Sequence, residues 1–148
     1  MRIEIANSQN HYVINTKKIK KIIKEVLNKE GKDAKLSIAF VDNDQIKKLN
    51  EQFLGSSEVT DVIAFPLSSN KAFLNGEIIV SVETAVEVAS TRKLNIEGEI
   101  ILYLVHGILH LLGYRDNNKR DAKIMHKKES EILGFLGYSV LNVENEFL

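Results

Sequence analysis

Two histidines, His106 and His110, stand four residues apart inside the apolar run from Val105 to Leu112. Four residues advance an α-helix by about 400°, so two imidazoles at that spacing sit about 40° apart in azimuth, one turn above the other. They can grip one ion from one side. Gly113 follows, a residue free to turn the chain sharply after a helix, and Asp116 lies six residues past His110. A chain that turns back there can bring the carboxylate in as a third, oxygen ligand. A histidine pair on an apolar helix is often only a hydrogen-bonded core pair, but a turn glycine and an acidic third position remove chance matches. Two imidazoles and one carboxylate with open positions remaining suit a catalytic zinc, and nickel or another divalent ion also accepts such donors.

The string HxxxHxxGxxD resembles the zincin and metzincin pattern, in which a helix supplies two histidines, a glycine breaks it, and a third ligand follows. Metallopeptidases of that kind carry a glutamate beside the first histidine as general base, and here the position holds Gly107. The metal scaffold is present and the peptidase base is absent.

The elements that must position this group can be read in order. Ile3 and Ile5 alternate with Glu4 as a short strand ending at Asn7. Asn15 or Thr16 caps a helix with Ile19, Ile22, Ile23, Val26 and Leu27 at helical spacing, which stops at Gly31. Lys17, Lys18, Lys20, Lys21 and Lys24 cover its other face, as a solvated surface or as a phosphate contact. Leu36–Val41 reads as a buried strand, and Asp42 to Asp44 supply caps for a helix marked by Ile46, Leu49 and Phe53. A polar connection from Leu54 to Thr60 leads to a strand, Asp61–Pro66, stopped by the only proline. A loop containing Asn70 and Asn75 precedes a strand, Gly76–Ser81, with Ser81 as cap of a helix that carries Val82, Ala85, Val86 and Ala89 and runs to about Leu94. Asn95 caps a helix, Ile96–Leu112, apolar on most faces, as expected of a central element, and Lys119–Leu133 is a last amphipathic helix. The tail to Leu148 is uninformative.

This order predicts an α+β fold: a small mixed four-stranded sheet packed against about five helices, with a zincin-like central helix carrying the metal ligands. At 148 residues, 1–148 reads as a single metal-dependent hydrolase domain. Cysteine is absent, which excludes disulfides and thiolate metal sites and fits a reducing cytoplasm. No secretory leader pattern and no membrane-spanning apolar run are present. The 20 basic and 20 acidic side chains balance, so nucleic-acid binding is not announced by net charge and would need a local patch.

Three blocks together resemble the YbeY family of bacterial endoribonucleases. The family pattern HGxLHLxGYxH is matched by His106, Gly107, Leu109, His110, Leu111, Gly113 and Tyr114. The block LNxxYRxKDxPTDVLSFP is similar to Leu49, Asn50, Phe53, Thr60, Asp61, Val62, Phe65 and Pro66, and the segment GDIxIS to the strand from Gly76 to Ser81. The likeness runs from about Ala34 to Leu133. It implies a zinc-dependent, single-strand-specific endoribonuclease of ribosomal RNA processing and ribosome quality control, acting at the 16S rRNA 3' end. Its partners would be ribosomal RNA and the small ribosomal subunit in the cytoplasm, with His106, His110 and Asp116 as metal ligands and catalytic residues. Asp116 stands where most members place a third histidine. Leu54 stands where the resemblance implies a catalytically important arginine, and Arg92, Arg115 and Arg120 remain open as its replacement.

Two other readings compete. One is a ribosome-associated RNA-binding assembly factor whose metal is structural, favoured by Leu54 and the neutral charge. The other is a minimal metallopeptidase that pairs an extended peptide with an edge at Ile78 to Val80. Thr60 and Asp61 read as a local turn at a strand start, Met125 and Tyr114 as packing residues, and His11 and His126 as surface histidines.

Overall fold

A computed structural model of the chain describes residues 1–70 and 72–138, so the tail from 139 to Leu148 lies outside the described residues. The elements are β1 (Arg2–Asn7), α1 (Thr16–Lys29), β2 (Asp33–Val41), α2 (Asn43–Leu54), β3 (Val62–Pro66), β4 (Phe73–Ser81), α3 (Val82–Arg92), α4 (Ile96–Leu111) and α5 (Lys119–Leu136). The sheet order is β1-β2-β4-β3, with β1, β2 and β4 parallel and β3 antiparallel to β4. This is the α+β arrangement the sequence predicts.

Each helix begins where a short polar side chain can accept from a backbone N–H two or three residues on. Asn15 accepts from Lys18, Ser81 from Thr84, Asn95 from Gly98 and Asn118 from Asp121. Asp42 and Gln45 form a reciprocal capping box at α2. Strand alternation then sorts the sheet into two faces. Leu36, Ile38, Phe40, Ile78 and Val80 join α1, α4 and α5 in the larger core, while Val41, Ile63 and Ile79 meet Ile46 of α2 on the opposite face.

Helix α4 is apolar all round because it is surrounded. Residues from Ile100 to Val105, with Ile108 and Leu109, are almost fully buried. Its approach to the sheet is set by two glycines. A Cβ at Gly107 would lie 2.8 Å from the Ile78 Cγ2, and one at Gly76 would lie 2.9 Å from the Leu111 methyls and 3.0 Å from the Phe65 carbonyl. The helix and β4 therefore interlock, Ile78 over Gly107 and Leu111 over Gly76. Gly107→Ala is expected to lower stability by about 1 kcal/mol in urea denaturation, since overpacking costs about 1–3 kcal/mol and a better helix former returns up to about 1 kcal/mol. An increase in stability would show that Ile78 moves aside freely.

The structure corrects several boundaries. Strand β2 starts at Asp33 rather than Leu36, and β4 at Phe73 rather than Gly76, so Asn75 lies within a strand and not in a loop. Helix α2 runs through Leu54 and ends at Gly55 in the left-handed region, whereas α5 extends to Leu136. Ile78 to Val80 do not form an edge: β4 is hydrogen-bonded to β2 on one side and β3 on the other. Among the described residues, no helix is long and apolar enough to cross a membrane.

Candidate metal centre

Helix α4 ends in a turn that places both the second histidine and the carboxylate. The Gly113 N–H donates to the His110 carbonyl at 3.0 Å and the Tyr114 N–H to the Leu109 carbonyl at 2.9 Å, the paired bonds of a Schellman motif. That motif requires a left-handed residue at its pivot, and Gly113 has φ +103°. The reversed chain carries Asp116 back over the histidines. It also returns the Tyr114 carbonyl to within 3.1 Å of the His110 Nδ1. A carbonyl only accepts, so Nδ1 of His110 is the protonated nitrogen and its Nε2 carries the lone pair.

His106 is oriented from the other side. Its Nδ1 lies 3.0 Å from Oε1 of Glu129 on α5, a carboxylate that is fully buried. Nδ1 donates there too, which again leaves Nε2 as the lone-pair nitrogen. The two Nε2 atoms are 2.9 Å apart, and Oδ2 of Asp116 lies 3.4 Å from that of His106 and 3.7 Å from that of His110. When both rings are neutral, with each Nδ1 proton committed elsewhere, neither Nε2 carries a proton and the pair at 2.9 Å presents two lone pairs. Two lone pairs and a carboxylate oxygen face one shared point, a donor set suited to a cation. Donors about 2.0–2.2 Å from a tetrahedral zinc stand roughly 3.3 Å from one another, and the three separations here bracket that length. All three ligand atoms lie within 4.8 Å of one another.

The electrostatics differ between the two rings. Burial works against a charge on His106, but the Glu129 hydrogen bond and charge, with Asp61 and Asp116, outweigh it and raise the pKa above its ordinary value. For His110, burial and the neighbouring His106 prevail over the acidic groups and lower the pKa. His106 is thus the more basic ring. Asp61 acts through its charge while holding the local turn expected of it, its Oδ1 accepting from the Val62 N–H at 2.8 Å.

Beside the histidines lies a cleft of about 590 Å³, lined by His110, Tyr114 and Arg115 on one side and by Leu54, Val62 and Pro66 on the other. A family model described as Endoribonuclease YbeY matches residues 4–137, nearly all of the described chain and the whole of this centre. The chain belongs to the YbeY family. A relative from Syntrophus aciditrophicus, named Endoribonuclease YbeY, is 33% identical over 147 residues, covering 93% of this chain and 92% of its own. Another of that name, from Clostridioides difficile, is 38% identical over 128 residues, covering 80% of this chain and 84% of its own. The solution structure of TM1509 from Thermotoga maritima is similar with a TM-score of 0.67 and 30% identity, covering 98% of this chain and 91% of that one.

Within this YbeY family member, sequence reasoning missed Glu129. Its signal was present, because Met125, Glu129, Ile132 and Leu133 occupy one buried stripe of α5 and only the glutamate is charged. His126 is not a surface residue: its side chain is largely buried, with Nδ1 3.4 Å from Oε1 of the same glutamate. His11 is exposed and lies 3.6 Å from Glu83, away from the centre. Met125 is fully buried, as a packing residue should be. Of the arginines left open, Arg115 lines the cleft that Leu54 also lines, while Arg120 lies with Lys119, Lys123 and Lys127 on another surface of α5.

Proposed function

We propose that this chain is a zinc-dependent endoribonuclease that cuts single-stranded ribosomal RNA, with His106, His110 and Asp116 as the metal ligands of a single hydrolase domain. The observation that carries this reading is the convergence of the two Nε2 lone pairs and the Asp116 Oδ2 on one point beside a cleft. The relatives' name, Endoribonuclease YbeY, supports RNA as the substrate class. A divalent ion bound there supplies Lewis acidity toward a phosphoryl oxygen and acidifies water, so no glutamate base is required at Gly107. Glu129 and the Tyr114 carbonyl hold both imidazoles in the tautomer that presents Nε2. Nickel or another divalent ion suits the same donors. In this reading the small-subunit rRNA, at the 16S 3' end, is met in the cytoplasm during ribosome maturation and quality control.

A structural-metal assembly factor remains the alternative reading, favoured by Leu54, which is 60% exposed beside the cleft and brings no charge to it. The peptidase reading loses its supporting edge, since β4 is paired on both sides, and Gly107 still leaves it without a base. The test is incubation of purified protein with single-stranded and duplex ribosomal RNA fragments, with EDTA and with zinc, nickel or manganese restored, and with casein alongside. We expect cleavage of single strands, abolished by the chelator and restored by a divalent ion, with casein intact. Binding to ribosomal particles without cleavage under any added ion would favour the assembly factor, and digestion of casein would overturn the proposal outright.

A further inference from the structure

We propose that Arg115 is the phosphate anchor of the cleft, gripping the backbone phosphate of a single RNA strand beside the one that reaches the histidines. This rests on the nuclease reading above and names how the substrate is held. The cleft contains His110 in its lining and is therefore continuous with the centre. Its volume falls within the range of about 300–1,000 Å³ usual for sites that enclose a small molecule or a nucleotide. Among the described residues, no carboxylate lines it, and its one permanently cationic side chain is Arg115. Among the described residues the guanidinium has no ion-pair or hydrogen-bond partner, so its charge and its five donors are available to a ligand.

Chemistry narrows what that ligand is. A planar guanidinium matches two oxygens of a phosphate or carboxylate bidentately. The rest of the lining offers hydroxyls and amides at Ser68, Ser69 and Asn75 over an apolar floor of Val62, Ala64 and Leu74. That combination seats an anionic group at one end and a flat, hydrogen-bonding ring along the rest, which describes a nucleotide. Position fits as well. Arg115 is next in sequence to Asp116 and follows Tyr114, whose carbonyl orients His110, so one short turn fixes the anchor, the carboxylate and the ring together. The backbone that carries the anchor is therefore held beside the centre, whatever the base.

The test compares wild type with Arg115→Ala and Arg115→Lys, all loaded with zinc, using a 2'-deoxy single-stranded oligonucleotide for binding and its RNA counterpart for cleavage. Arg115→Ala is expected to weaken binding about tenfold, and to reduce the slope of log Kd against log salt by about 0.7, the share of one phosphate contact on a single strand. KM rises in step while kcat changes little, because the contact is already made in the ground state. Arg115→Lys keeps the salt slope and recovers part of the affinity, since it retains the charge and loses the fork. Thermal midpoints of all three proteins should coincide, because the side chain is exposed. Wild type that cleaves and binds while Arg115→Ala matches it in Kd, KM and salt slope overturns this inference alone. Wild type that neither binds nor cleaves overturns the nuclease reading, and this inference falls with it.

Discussion

His110→Ala is expected to release the divalent ion and to lower RNA cleavage by at least roughly 100-fold, the upper end of what losing even a supporting group of a metal site costs. The ring contributes one of two nitrogen donors, and among the described residues the group converging there holds only His106 and Asp116 besides. The metal-free fold should survive, because His110 is only half-buried and alanine is the better helix former at the end of α4. Mass spectrometry of metal per chain, cleavage of single-stranded RNA and the thermal midpoint in EDTA together separate these effects. Asp116→Ala should lie between His110→Ala and wild type, since two imidazoles remain and water can take the third position. Full metal stoichiometry in His110→Ala would place the ion elsewhere and remove the basis of the proposed function.

What the sequence displays of this centre is whatever lies close together along the chain. His106, His110, Gly113 and Asp116 fall within eleven residues, and the helix repeat with one glycine turn converts their spacing into geometry. The caps are equally local, because an Asn, Asp or Ser side chain reaches only two or three residues ahead. Strand ends are a different matter. The early residues of β2 and β4 are polar or mixed, and they are extended because Asp33 pairs with Phe73 and Lys35 with Asn75, neighbours that no local pattern reveals. The same holds for the place of β4 inside the sheet, which depends on the connection from β2 through α2 and on the hairpin return of β3. Gly107 was legible as a missing base, but its reason is steric and lies on another element, at Ile78. Glu129 was the most consequential omission: eighteen residues of turn and helix separate it from His110, and only the packing of α5 on α4 brings it under His106.

That packing makes Glu129 the residue whose loss should matter most among those that touch no ion. Glu129→Gln keeps the side chain's shape and an oxygen to receive the His106 Nδ1–H, but removes the charge that makes the ring a stronger base. Metal affinity should fall about 10–100-fold, as it does when such supporting carboxylates are changed. The pKa of His106 in metal-free protein should fall with it. Burial alone pushes that value down, and Glu129 is the foremost of the groups that hold it up, ahead of Asp61 and Asp116. Histidine NMR titration in EDTA checks the direction, and competition with a zinc chelator checks the affinity. Glu129→Ala adds a structural penalty, for it leaves the His106 Nδ1–H without a partner at a position buried among the α4 and α5 side chains, at about 1–3 kcal/mol. The two variants therefore divide the roles: both lose affinity, and only alanine loses much stability in urea. If Glu129→Gln bound zinc as tightly as wild type with an unchanged His106 titration, the buried carboxylate would be a packing residue of α5 and no part of the centre.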